Sequence, residues 1–117
     1  MERAKREDLP VRAYVSTAFY CPFEGKINPA RALGVASALL DLGVDEISIG
    51  DTIGKAVPND VRRLLDRLLK RAERDVLALH FHDTYGTAIS NILTAWEDYG
   101  MLTFDSSAGG LGGCPYA

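Results

Sequence analysis

The chain holds two histidines, His80 and His82, at the polar end of an apolar run that reads V-L-A-L-H-F-H-D-T-Y-G over residues 76–86. A strand has a period of two, so Ala78, His80 and His82 share one face, while Leu77, Leu79 and Phe81 share the other. Two imidazoles placed in this way can ligate one metal ion and leave other positions on that ion open. The plain alternative is a pair of strand-end histidines satisfied by neighbouring hydrogen bonds. H-x-H alone is a short pattern with many chance matches.

Other groups could join this chemistry. Asp51 sits in G-D-T-I-G and could hold a metal-bound water or position a substrate oxygen; a turn-bracing aspartate is the simpler reading of the same residue. Asp83 follows His82 directly and so points to the opposite face, as an orienting or loop-bracing group. Asp105 faces the same choice, with bracing ahead. Cys114 lies in G-G-L-G-G-C-P-Y, a segment too rich in glycine to pack as helix or strand. Such a loop suits a lid that presents one side chain on closure, and its thiol could act as general acid or base. A small hydrophobe in a turn is an equally good account of Cys114, and the better one for Cys21. The glycines do not make a phosphate-binding P-loop, because no Lys-Ser/Thr follows them.

The elements that must position these groups alternate along the chain. Residues 2–8 read as the last turns of a helix, ended by Pro10. Residues 11–17, V-R-A-Y-V-S-T, alternate as a first strand, and the segment 19–27 is a loop long enough to carry function. Asn28-Pro29 starts a helix through Leu33, Ala36 and Leu40, with Gly43 closing it. Residues 45–50 form a second strand that runs into G-D-T-I-G. Val61, Leu64, Leu65, Leu68, Leu69 and Ala72 then recur at helical spacing, as a buried stripe on a helix with a solvated charged face. The histidine strand follows, then a helix marked by Ile89, Ile92, Leu93 and Trp96 and closed by Gly100, then a fourth strand over 101–106. The order β-α-β-α-β-α-β, at about 30 residues per unit, is that of parallel β/α repeats. Either an open doubly wound sheet or half of an eight-fold barrel accommodates it. Polar residues at the ends of successive strands (Ser16 and Thr17, Asp51 and Thr52, the histidines, Asp105 and Ser106) favour the barrel, whose strand ends meet at one mouth.

Bulk properties exclude several classes. At 117 residues the chain is one modest domain, and 47% hydrophobic with 25% charged residues is ordinary for a globular protein. A net charge of −3 leaves no basic footprint for nucleic acid. No apolar run approaches the ~20 residues that span a bilayer. The charged start M-E-R-A-K-R-E-D lacks a secretory core, and two cysteines make no disulfide framework, so the cytoplasm is the expected compartment.

Three segments, G-D-T-I-G at 50–54, H-F-H-D-T-Y-G at 80–86 and S-A-G-G-L-G-G-C-P-Y at 107–116, resemble the 3-hydroxy-3-methylglutaryl-coenzyme A (HMG-CoA) lyase family. V-R-A-Y-V-S followed by C-P-F-E-G-K resembles it too. The likeness spans almost the whole chain, and the glycine-cysteine loop is its most specific part. It departs from the family at Ala108 and Gly109, where Val and Ala are usual. The resemblance implies a (β/α)₈ (TIM) barrel that cleaves HMG-CoA to acetyl-CoA and acetoacetate in leucine breakdown, with a divalent cation such as Mg²⁺ or Mn²⁺. It implies His80 and His82 as metal ligands, Cys114 as the catalytic thiol of a mobile loop, Asp51 as an active-site acid and Thr52 as a substrate contact. An acyl-CoA is the implied partner, with neither nucleic acid nor membrane, and a homo-oligomer is compatible. Residues 1–117 are expected to be a partial barrel, truncated at both ends. The family's Arg-Asp pair and an asparagine ligand would then lie outside it, so the isolated chain is expected to bind such cations weakly and to be inactive. The histidine motif also fits the isopropylmalate and homocitrate synthases, condensing relatives whose G-E-R-A-G-N segment is absent here. A non-catalytic half-barrel interaction piece is the remaining alternative.

Overall fold

The computed structural model describes residues 1–117. After a short helix α1 (Glu2–Arg6), strand β1 (Arg12–Val15) leads to a small hairpin of β2 (Tyr20–Cys21) and β3 (Gly25–Lys26). Helix α2 (Pro29–Asp41), strand β4 (Glu46–Asp51), helix α3 (Pro58–Leu68), strand β5 (Leu77–Phe81) and helix α4 (Ala88–Tyr99) follow. The sheet is parallel, in the order β1-β4-β5, so each β/α unit lies beside the next in the chain. Helices α2, α3 and α4 pack in the same succession. This is an α/β fold on a parallel sheet.

The sheet has two unlike faces, and alternation decides which residue meets which. Val15, Ile47, Ile49, Leu77 and Leu79 are buried with the helix stripe Val61, Leu64, Leu65 and Leu68 in one core. The other face carries Arg12, Tyr14, Ser48, His80 and His82, and it is partly open. Apolar burial on the first face, worth roughly 1.5–3 kcal/mol for each fully buried Leu or Ile, fixes the register that presents the second.

Local signals behave as their chemistry requires at most helix ends. Asn28 Oδ1 accepts from Ala30 N at 3.0 Å, and Pro29 opens α2. Asp60 caps α3 by accepting from Val57 N at 3.1 Å, and Lys26 of the hairpin reaches Asp60 at 3.2 Å. Gly100 closes α4 in the left-handed region, at φ 68°.

Three expectations need correction. The segment 19–27 is not a plain loop but contains the β2-β3 hairpin. The fourth strand is reduced to one parallel bridge between Leu79 and Phe104, made by Leu79 N to Thr103 O and Asp105 N to Leu79 O. Bonded on one side only, this segment does not build a ladder. Helix α4 also turns the opposite way from its apolar pattern. Ile89 and Trp96 are 73% and 54% exposed, whereas Ala88, Asn91, Thr94 and Ala95 are buried. Small residues let α4 approach closely, and the Asn91 amide donates to Ala56 O at 2.8 Å, which satisfies that buried donor.

Candidate functional site

The histidine pair forms as the spacing requires. His80 and His82 lie on the same side of the β5 end, with their Nε2 atoms 3.1 Å apart. Burial, and then the neighbouring His80, lower the pKa of His82 and favour the neutral ring that a metal needs. The imidazoles open onto a cavity of about 320 Å³ lined also by Ser16, Ser48, Gly50, Thr52, Gly113 and Cys114. Residues from β1, β4, β5 and the C-terminal loop therefore meet in one place.

Behind His80 stands Asp105. Its Oδ2 contacts His80 Nδ1 at 3.0 Å and accepts from Ser48 Oγ at 2.9 Å, and its Oδ1 accepts from Arg12 Nη2 at 2.6 Å. Arg12 is held in turn by Glu46 on the neighbouring strand. Burial alone would raise the Asp105 pKa, but the bonds from Arg12, His80 and Ser48 hold it below the usual carboxylate range. Arg12 and Ser48 were not singled out by the sequence reading. Their signal was alternation: Arg12 shares a face with Tyr14, and Ser48 shares one with Gly50.

Asp51 is elsewhere. It continues the parity of Ile47 and Ile49, so its side chain lies on the helix side of the sheet and is fully buried. Both carboxylate oxygens accept from Ala56 N at 3.2 Å. Asp51 does not line the cavity; it braces the loop after β4, and burial pushes its pKa up to about 6. The loop after β5 repeats the arrangement, with Asp83 Oδ1 accepting from Ala88 N at 3.0 Å. Both loops read D-T-x-G, and their glycines sit at φ 70° and 72°. At Gly54 a Cβ would also lie 2.6 Å from Thr84 Oγ1, so the two loops touch there.

Thr52 lines the cavity, and its Oγ1 accepts from Thr17 N at 2.8 Å. That leaves its hydroxyl proton free to face a ligand. Cys114 is half-buried beside Gly113 at the cavity edge, and Cys21 is a free thiol in the hairpin. The loop that carries Cys114 touches the hairpin tip through Tyr116 and Phe23, ring centroids 5.4 Å apart and edge to face.

The pair suits a cation in part. Adjacent ligands at about 2.1 Å from one ion and at right angles to each other stand about 3 Å apart. The observed 3.1 Å between the Nε2 atoms matches that separation. No third His, Cys, Asp or Glu joins them closely enough to form a larger cluster. None of the helices is long and apolar enough to cross a membrane.

Known proteins match this arrangement along its whole length. The chain is 48% identical over 114 residues to the hydroxymethylglutaryl-CoA lyase of Bacillus subtilis, covering 97% of this chain and 38% of that one. The crystal structure of the Brucella melitensis HMG-CoA lyase superposes with a TM-score of 0.94 at 43% identity, over 99% of this chain and 41% of its own. An Acinetobacter baumannii HMG-CoA lyase, solved in complex with coenzyme A and 3-methylmalate, gives 0.91 at 38% identity, over 99% and 37%. The chain thus spans about two fifths of these relatives' length. The HMGL-like family model matches residues 3–114, and the chain belongs to the HMGL-like family.

Proposed function

We propose that this chain supplies the histidine pair, the thiol loop and the Thr52 contact of a metal-dependent HMG-CoA lyase site. The carrying observation is the convergence of His80, His82, Thr52 and Cys114 on one cavity. The reaction cleaves the bond between C2 and C3 of HMG-CoA. The C3 hydroxyl gives up its proton to water and becomes the ketone of acetoacetate, while the electron pair of the broken bond passes to the acetyl-CoA carbon, which takes a proton, so that one proton is released and one is taken up. A divalent cation such as Mg²⁺ or Mn²⁺ would supply charge stabilisation for the C3 oxygen. His80 and His82 would hold it, with further ligands from outside this chain. Cys114, on a backbone made pliable by glycines, closes over the cavity and gives its thiol proton to the departing carbon. The Thr52 hydroxyl donates to a substrate oxygen. Asp51 shapes the Thr52 loop from behind, and its buried bonds to Ala56 N support a bracing role in preference to direct acid catalysis.

A segment exchange tests this reading. Residues 3–114 replace the matching segment of the Bacillus subtilis lyase, and acetoacetate release from HMG-CoA is followed with Mg²⁺ and with Mn²⁺. The hybrid should turn over, and Cys114→Ser should cost on the order of 10²–10⁴-fold in rate. The chain alone should stay near background, because it lacks most of a cation shell. A hybrid indifferent to Cys114→Ser would defeat the proposed role of the thiol. Condensation of a 2-oxo acid with acetyl-CoA by the hybrid would favour the synthase alternative.

A further inference from the structure

Three groups surround the Asp105 carboxylate, and two of them can only donate to it. Arg12 Nη2 takes Oδ1, and Ser48 Oγ and His80 Nδ1 share Oδ2. An acceptor-only carboxylate requires a donor at the imidazole nitrogen, so the His80 proton sits on Nδ1 and its Nε2 carries a lone pair. His82 Nε2 lies 3.1 Å from that nitrogen. Two lone pairs do not approach so closely, so His82 carries its proton on Nε2 and donates it to His80. The five side chains form one directed network across the sheet, from His82 through His80 to the Asp105 carboxylate, which is clamped by Arg12 and Ser48.

We propose that Asp105 is a positioning residue that fixes His80 as the Nδ1–H tautomer and turns its Nε2 lone pair into the cavity. His80 is then the pre-set member of the pair. His82 is the member that must move its proton to Nδ1 before both nitrogens can face one ion. The statement about the ion rests on the function proposed above; the tautomer of His80 does not. An Arg12–Asp105 ion pair with no further role would be complete without His80 and would leave its tautomer unbiased. Carboxylate partners of this kind commonly change metal affinity 10- to 100-fold when removed.

Two measurements on the whole chain decide it. Long-range ¹⁵N–¹H correlation spectra of the metal-free protein, recorded at about pH 8 where imidazole is neutral, report each ring's tautomer directly. The expected result is Nδ1–H for His80 and Nε2–H for His82, with His80 losing that bias in Asp105→Ala. Calorimetric titration with Ni²⁺ alone should then show a roughly 10- to 100-fold weaker affinity in Asp105→Ala. Ser48→Ala keeps the carboxylate and Arg12, and should lose less than about tenfold while retaining the tautomer. Nε2–H at His80 in the native chain would overturn the proposal whether or not Asp105→Ala folds. So would unchanged Ni²⁺ affinity in a folded Asp105→Ala. The expected native tautomers with no Ni²⁺ uptake would support the positioning of His80 and overturn the ion reading instead.

Discussion

The two halves of the candidate site are held by opposite means. His80 stands on a strand whose reverse face is buried in the core, with a carboxylate at one ring nitrogen and an imidazole at the other. Cys114 stands on a segment whose only regular element is a single turn over Ala108–Gly110, among four glycines of positive φ. An exposed aromatic contact, Phe23 on Tyr116, ties that segment to the hairpin. Strand residues are fixed because moving them would disrupt the buried Leu77 and Leu79 on the reverse face. Loop residues have no such penalty. Under the function proposed above, the site would have to hold an ion still and also admit and release a large thioester, and both kinds of support would serve it.

The sharpest way to break this comparison is to exchange the losses. His80→Ala should abolish Ni²⁺ uptake by the chain, a fall of more than about 100-fold, since a single imidazole is left on the strand. Cys114→Ser should change the same affinity less than about threefold, because the loop thiol is not part of the pre-set pair. Calorimetry on both variants reads the difference, and a large effect of Cys114→Ser would make the loop a ligand in its own right.

A pH series sharpens the account of the rigid half. The folded-state pKa of Asp51 is raised to about 6 from an ordinary 3.8, so the folded chain binds this proton more tightly than the unfolded chain does. Its contribution is present below about pH 4 and is lost as pH rises through about 6, up to roughly 2–3 kcal/mol. Asp105 has the opposite sign: its stabilisation holds above the ordinary carboxylate range and is lost as pH falls through its depressed value. Urea unfolding between about pH 4 and pH 6.5 should therefore show stability declining with pH, and Asp51→Asn should flatten that slope. A slope that survives in Asp51→Asn would assign it to other groups.

The smallest effect concerns the loop half. Phe23→Ala removes one edge-to-face aromatic contact, worth about 0.5–1.5 kcal/mol. Limited proteolysis should cut the segment 107–117 several-fold faster in this variant, with the thermal unfolding of the sheet unchanged. Equal cutting rates would mean that the hairpin does not restrain the loop.

Much of this was legible in the residues, where local periodicity and burial agree. The stripe Val61, Leu64, Leu65 and Leu68 is buried as its spacing demands, and the two histidines share a face because a strand leaves them no alternative. Asp51 braces its loop, as the simpler reading of G-D-T-I-G has it, but its burial was not legible there: β4 continues through Asp51 and parity carries its side chain to the helix side. The hairpin was hidden by Pro22, which interrupts the alternation around Cys21. In α4 the apolar residues mark the outward side, since Asn91 and Thr94 are the ones with partners or room inside. The line from Arg12 to His80 joins residues 68 positions apart (80 − 12), and only the stacking of successive units brings them together.

The paired D-T-x-G loops carry a consequence for how such a chain can arise. Each is a clasp, in which an aspartate at the strand end grips the backbone N–H five residues on, across a left-handed glycine. The strands that precede the two clasps, E-I-S-I-G and L-A-L-H-F, have little in common, and the helices that follow share no pattern of side chains. Ancestral copying of a β/α unit would thus leave its most durable trace in the clasp, where backbone geometry tolerates few spellings. Strands and helices, free to trade one apolar residue for another, would drift apart first. The same economy offers a rule for building longer sheets: copy the clasp, and let each new strand choose its own chemistry.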